Sequence, residues 1–303
     1  MPDPVDVPSP FHAGERAAQR LAGVATPRMA PIRPFMPDQH RDFFGLLPYV
    51  FVAARDQGGW PTPTVLAGPP GFIASPDATT LRLAAARDDD DPATPLLAPG
   101  AAFGLLGLDL STRRRNRANG RVASSSVDAL TLTVEQSFGN CPQYIHVRDA
   151  TGRAAQAPTG SRTERFEGLD AESRASIAVA DTLFVASGSD HGLDISHRGG
   201  PAGFARVEGD TLSIPDYRGN RFFNTLGNLL LDPRAALLFV DFAAGDTLVV
   251  QGRAEILWDA GEGAGPLATE RVWRLHVERG WRRRGALHLR WTRPASTSIN
   301  GGT

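Results

Sequence analysis

The chain carries its apolar residues in short, dense runs. YVFVAA (49–54), LGLDL (106–110), TLFVAS (182–187) and LFVDF (238–242) are separated by Gly, Pro and Asp. Runs of this length bounded by turn residues predict strands. Alternation is clearest in ALTLTVEQSF (129–138), where Leu130, Leu132 and Val134 fall on one side and the threonines on the other. Many short strands with turn signals between them predict an antiparallel sheet that closes or splits into a barrel, since closure removes exposed edges. Two short helices are expected in MPDQHRDFFGLL and GLDAESRASIAVA, with Asp38 and Asp170 each placed to cap one. A late helix is expected over 265–280 from the spacing of Leu267, Val272, Leu275 and His276.

The pattern occurs twice. Residues 36–121 laid over 168–253, a displacement of 132, align AGPPGF with GGPAGF, LGLDL with LFVDF, and the NGR at 119–121 with the QGR at 251–253. Several matches at one displacement indicate a tandem duplication. The expected organisation is an N-terminal extension (1–35), a first unit (36–148), a linker (149–168) and a second unit (169–303), the halves packed about an internal pseudo-two-fold axis.

Composition narrows the chemistry. The formal charge of −1 over 303 residues gives no reason to expect nucleic acid or an anionic membrane as partner. No apolar run approaches the roughly 20 residues that span a bilayer, and the first ten residues are acidic and proline-rich, so a cytoplasmic protein is expected. Cys141 is the single cysteine, which rules out an intrachain disulfide and a cysteine-based zinc site. The histidines show no metal-ligand spacing, and no metal is expected. All 32 residues counted as Lys or Arg are arginine. Lysine Schiff-base chemistry and a P-loop are thereby excluded, and any phosphate must be held by arginine and backbone donors.

The two halves differ most where chemistry would sit. Between matched strands the first half has ARDDDDPATPLLA and the second has PDYRGNRFFNTLGN. Four aspartates repel a phosphate; Arg198, Arg221 and the amides of Asn220, Asn224 and Asn228 attract one, which assigns an anion site to the second half. The alternative role for Arg221 is a turn-bridging ion pair with Asp216, and for Asn228 a helix cap. The arginine run in STRRRNRANGR (111–121) reads first as a solvated strand edge, although in a pseudo-symmetric pair it can reach the partner's pocket. Gly199 and Gly200 would let a flat ligand approach the backbone. His197 beside Asp194 and Ser196 does not make a hydrolytic triad, because neighbours on one strand alternate faces. Cys141 reads as a packed thiol, and Trp258, Trp273, Trp281 and Trp291 as packing residues of the C-terminal fifth.

FHAGERAAQ, MPDQHRDFF, NCPQYI, SHRGGPAGF and GNRFFNTLGNLLLDPRAALLFVDF resemble the flavin-binding split-barrel proteins related to pyridoxamine 5′-phosphate oxidase, in particular their larger two-unit bacterial members. The resemblance implies a mainly β (α+β) fold of tandem FMN-binding split barrels with short flanking helices. It implies FMN between units, with Arg198, Asn220 and Arg221 at the phosphate and ribityl chain and Asn224 assisting. Ser196, His197 and Gly199 would line the ring system, and Asn119 with Asn140, Gln143 and Tyr144 would approach from the other unit. The chain departs from the oxidase in lacking the lysine that helps hold phosphate and substrate there. The expected activity is that of an FMN-dependent oxidoreductase acting on an unidentified small molecule, with NADH, NADPH or an electron-donor protein as the source of electrons; the catalytic residues are not identified. The alternative is a flavin-binding protein without turnover. A homodimer is compatible with either.

Overall fold

The computed structural model describes residues 9–25, 31–85, 87–139, 141–151, 162–263 and 267–294. Four short helices, α1 (Ala13–Leu21), α2 (Asp38–Leu46), α3 (Ala171–Val179) and α4 (Asn224–Leu231), flank two antiparallel sheets. The first sheet contains β1 (Tyr49–Arg55), β2 (Pro61–Ala67), β3 (Ile73–Asp77), β4 (Thr80–Leu83), β5 (Ala102–Asp109), β6 (Arg114–Ser125) and β7 (Leu130–Gly139), in the order β2-β1-β5-β6-β7-β4-β3. After β8 (Asp149–Thr151) and β9 (Thr163–Glu167) comes the second, built from β10 (Thr182–Ser189), β11 (Gly192–Gly199), β12 (Arg206–Glu208), β13 (Thr211–Tyr217), β14 (Arg234–Val240), β15 (Thr247–Leu257) and β16 (Thr269–Arg283). Its order, β11-β10-β14-β15-β16-β13-β12, is that of the first sheet, with β9 added against β16. β17 (Arg290–Thr292) pairs with β8.

The fold is mainly β, with tandem units. Strands β1 to β6 lie within a residue or two of β10 to β15 at the displacement of 132, and the repeat extends to irregularities. Both barrels carry a register shift at the same place, between Asn119 and Gly120 and between Gln251 and Gly252. A Cβ on Gly120 would lie 2.0 Å from the Thr133 carbonyl oxygen, and one on Gly252 would lie 2.1 Å from that of His276. Only glycine lets the bulged strand come this close, which is why NGR and QGR survive as a matched pair.

Three cores explain the dense apolar runs. Val50, Val52, Leu105 and Leu132 fill the first barrel, and Val185, Leu237, Trp273 and Leu275 fill the second. A third core lies between the barrels and includes Phe51, Leu106, Phe184, Ile195, Leu238 and Trp281. Strands β1 and β10 therefore bury both faces and lose the alternation that a one-sided sheet would show. The rings of Phe51 and Phe184 stack with centroids 3.6 Å apart. β11 packs on β5 and β2 packs on β14, pairs that exchange under the repeat, as a pseudo-two-fold arrangement requires.

Two local expectations are corrected. No helix occupies 265–280; residues 264–266 lie outside the described residues, and Thr269–Arg283 is β16. The deciding signal is alternation: Arg271, Trp273, Leu275 and Val277 are buried, while Arg274, His276 and Glu278 are exposed. Asp170 caps α3 by accepting the Ser173 amide at 2.8 Å, but Asp38 is the first residue inside α2, where Pro37 holds the cap position without a side-chain bond. Asp38 instead pairs with Arg41 at 2.8 Å. Residues 152–161 of the expected linker lie outside the described residues. Among the described residues no helix is long and apolar enough to cross a membrane, and no cluster of three metal-ligating side chains occurs.

Candidate functional site

A cleft of about 850 Å³, counting its open mouth, lies between the units and brings together Ser196, His197, Arg198 and Gly199 of β11, Asn220 and Arg221 of the loop before α4, Asn224 of α4, and Gln143 and Tyr144 of the first unit. Asn119 lines a neighbouring cavity instead. Asn140 lies outside the described residues. Five arginines (115, 117, 198, 221 and 271) and two carboxylates (Asp216 and Glu270) line the cleft, so it is electropositive in a chain that is nearly neutral.

The loop into α4 is tightly turned. Arg221 and Phe223 both take left-handed backbone conformations, with φ of 60° and 61°, a local strain that non-glycine residues adopt mostly at functional turns. Asn220 Oδ1 accepts the Phe222 amide at 3.1 Å and tightens the turn. No side chain caps α4, so its first-turn N–H groups lack an intrahelical partner, and Asn224, Thr225 and Leu226 line the cleft. Among the described residues the Arg221 guanidinium has no hydrogen-bond or ion-pair partner; Gln19 reaches only the Arg221 carbonyl, at 3.4 Å. The ion pair with Asp216 weighed as the alternative is not formed. Asp216 is held by Arg271 at 2.6 Å, with Arg198 at 3.7 Å. Burial pushes the Asp216 carboxyl up, and Arg198 and Arg271 oppose that shift.

The floor is a polar network that joins the units. Arg117 of β6 is 5% exposed. It donates to Asp194 at 2.8 Å, Ser196 Oγ at 2.5 Å and Asn224 Oδ1 at 3.1 Å. Thr225 donates to Ser196 at 3.0 Å, and Asn119 donates to Asp194 at 3.2 Å. Asp194 and Ser196 share a face of β11, while His197 points to the other, where its ring meets Phe184 edge-on at 5.7 Å. A triad is therefore absent, as alternation requires.

His197 has a defined tautomer. Arg115 lies with a terminal nitrogen 3.3 Å from His197 Nδ1; arginine can only donate, so Nδ1 is the acceptor and the proton sits on Nε2. Burial, then the charges of Arg115 and Arg198, hold His197 well below its ordinary range, and it is neutral. Burial likewise brings Arg115 down to about 9, with Arg117 and Arg198 adding to the shift, and it remains a cation at neutral pH. His197 Nε2 and the Nε atoms of Arg115, Arg117 and Arg198 are buried donors without a partner. Unmet buried donors on an electropositive cleft call for an acceptor-rich ligand.

Residues 169–289 match the family model described as Pyridoxamine 5′-phosphate oxidase. The match lies within the second unit, whose fold is of this split-barrel type. The matched unit supplies the loop, α4 and β11, and the first unit supplies Arg115, Arg117 and residues 141–144. Among solved structures, the chain is similar to a FAD-binding protein from Mesorhizobium loti (14% identity, TM-score 0.30, 40% of this chain and 97% of that one). It is also similar to HupZ from Group A Streptococcus (20% identity, TM-score 0.28, 36% and 90%) and to General Stress Protein 26 from Bacillus anthracis (12% identity, TM-score 0.27, 41% and 97%). No curated protein matches the chain.

Several residues of the cleft differ from the sequence reading. Arg117 is buried and Arg115 half-buried, whereas Arg113, Arg114 and Arg121 of the same run are exposed, as a solvated edge requires. The signal for Arg115 and Arg117 was their position on β6, two residues apart and hence on one face, in a strand whose counterpart in the second unit carries Thr247 and Val249. Gly199 is spare for a different reason than ligand approach: a Cβ there would lie 2.0 Å from the Tyr144 carbonyl oxygen, because the first unit's segment crosses β11 at that point. Asn228 is neither a cap nor a cleft residue. It is 5% exposed inside α4 and donates to the Ser187 carbonyl at 3.4 Å, tying the helix to β10. Cys141 lines the cleft and is half-buried. Trp273, Trp281 and Trp291 are buried in cores, and Trp258 packs against one.

Proposed function

We propose that the cleft binds FMN and that the protein is a flavin-dependent oxidoreductase acting on a small molecule. The carrying observation is the convergence of an uncapped helix N-terminus, an unpaired Arg221 and four unmet buried donors on one cleft between the units. The phosphate belongs at the first turn of α4 with Arg221 and Asn220, and the ring system belongs against Ser196–Gly199, facing Arg115, Gln143 and Tyr144. Bound flavin supplies two-electron chemistry, accepting a hydride equivalent and passing electrons to a second substrate.

The chain's own part is positional and electrostatic. Arg221 and the α4 amides neutralise the phosphate. The neutral His197 offers one N–H donor, and Arg115 places positive charge against the acceptor-rich edge of the ligand. Tyr144 donates to the Arg218 carbonyl at 3.0 Å and closes the cleft's rim. A single phosphate site favours FMN over FAD, whose second phosphate has no matching loop among the described residues.

The visible spectrum of the purified protein tests the reading, followed by titration with FMN and FAD. Yellow protein and tighter FMN binding support it; equal or tighter FAD binding removes the FMN assignment. Steady-state assays with NADH or NADPH and a set of acceptors separate an oxidoreductase from a flavin carrier, which would bind without turning over.

A further inference from the structure

α1 lies in the N-terminal stretch, yet it packs on the elements that build the cleft. It crosses α4 backbone to backbone at Gly14 and Gly227. Phe11 meets Phe222 edge-on with centroids 5.4 Å apart, and the fully buried Gln19 holds the Arg221 carbonyl. Glu15, 4% exposed, closes the capping box of α1 and accepts from Asn224 Nδ2. The other end of the same amide accepts from Arg117.

We propose that Glu15 is a positioning residue of the cleft: through Asn224 it fixes Arg117 and the first turn of α4, so that anion binding is set by α1 and responds to the charge on Glu15. The proposal rests on the flavin reading only for the identity of the anion. The groups facing Glu15 are His12 on its own helix at 3.6 Å, Asn224 and Asn228 of α4, Asp194 of β11 and Arg117 of β6. His191, in the turn before β11, stacks on His12 at 4.9 Å. Burial pushes the Glu15 carboxyl up to about 7, helped by Asp194 and opposed by its hydrogen bonds and by Arg117. Burial and His191 bring His12 down to about 4. Near neutrality Glu15 therefore exchanges its proton beside a neutral imidazole. A ligand phosphate adds negative charge on the far side of Asn224 and favours the protonated carboxyl. By reciprocity, proton uptake there tightens anion binding.

The deciding experiment uses the full chain. Hydrogen exchange of the ligand-free protein should rise about tenfold at residues 220–226 in Glu15→Ala, with strands β1 and β10 unchanged. FMN titrations at pH 6 and 8 should show the wild-type affinity falling about fivefold more than that of Glu15→Gln, the phosphate's own titration cancelling in the difference. Should Glu15→Ala not fold, the pH slopes of Glu15→Gln, whose amide oxygen can still accept from Asn224, decide alone. Exchange within twofold of wild type at 220–226, or equal pH slopes, overturns the proposal. Raised exchange without FMN binding rejects the flavin reading and supports the positioning role.

Discussion

The cleft and its counterpart in the first unit occupy equivalent places in two barrels of one topology, and they have been filled in opposite ways. At the displacement of 132, Ser196 corresponds to Thr64, Asn220 to Asp88, Arg221 to Asp89 and Gly199 to Ala67, while Arg115 and Arg117 correspond to Thr247 and Val249. Where the second unit has α4, the first has a single turn of 3₁₀ helix over Thr94–Leu96. The aspartate run is not left in solvent. Arg283, at the end of β16, enters from the second unit and pairs with Asp91 at 2.8 Å and with Asp88, while Thr64 donates to Asp91 at 2.5 Å. Asp91 is 4% exposed, and burial pushes its carboxyl up against the pull of Arg283. One site keeps buried donors without a partner. The other pairs its aspartates with a cation from the opposite unit.

That contrast can be broken experimentally, most forcefully at Arg283. Arg283→Ala leaves Asp91 buried without its partner, which costs about 3–5 kcal/mol; urea unfolding should show the loss, while FMN affinity of the folded fraction stays as in wild type. Arg221→Ala should do the reverse. Losing a hydrogen bond to a charged group weakens FMN binding by about 1.5–3 kcal/mol, or ten- to a hundredfold, with little change in unfolding. Arg87→Ala, at the head of the aspartate run, should leave FMN binding unaltered, since Arg87 is exposed and pairs with Asp89. Calorimetric titration should give one FMN per chain; two would mean that the first unit's site is open.

The glycine at the crossing sharpens the same comparison. Gly199→Ala drives a methyl group into the Tyr144 carbonyl and should cost about 1–3 kcal/mol, with weaker FMN binding as the first unit's segment is displaced. Ala67→Gly, its counterpart, should cost about 0.5–1 kcal/mol through backbone entropy alone. The smallest effect concerns α1, which docks on α4 of the second unit. Because the folded protein holds the Glu15 carboxyl above its unfolded value, its stabilising contribution is complete below about pH 4.5 and is lost as pH rises through about 7. Glu15→Gln removes this titration. Its melting temperature relative to wild type should therefore rise between those values, and a flat difference would remove the assignment.

The barrel pair was legible from sequence because it is written in local signals repeated at one spacing: bounded apolar runs, paired turn glycines and the matched NGR and QGR. The second-unit half of the cleft was legible for a similar reason, since SHRGGPAGF and GNRFFN each lie on one strand end or one turn. What escaped depends on which chain segments meet in space. Arg115 and Arg117 are indistinguishable from surface arginines until β6 is laid across the unit boundary. Glu15 lies 209 residues from Asn224, and Arg283 lies 192 from Asp91. β16 is ambiguous in sequence because the three- and four-residue spacing of Leu267, Val272, Leu275 and His276 overlies the alternation of Trp273, Leu275 and Val277.

The stacked Phe51 and Phe184, with β5 on β11 and β2 on β14, join two barrels that one gene encodes separately. In a dimer of identical subunits every substitution strikes both sites at once, so neither can be abandoned while the other is kept. Covalent tandem linkage lifts that constraint. Each half has its own codons, and a change harmful to binding in one barrel need not appear in the other. The Arg283 cluster is what such freedom permits: one barrel closes its position with an ion pair while the other keeps a cleft at the equivalent place.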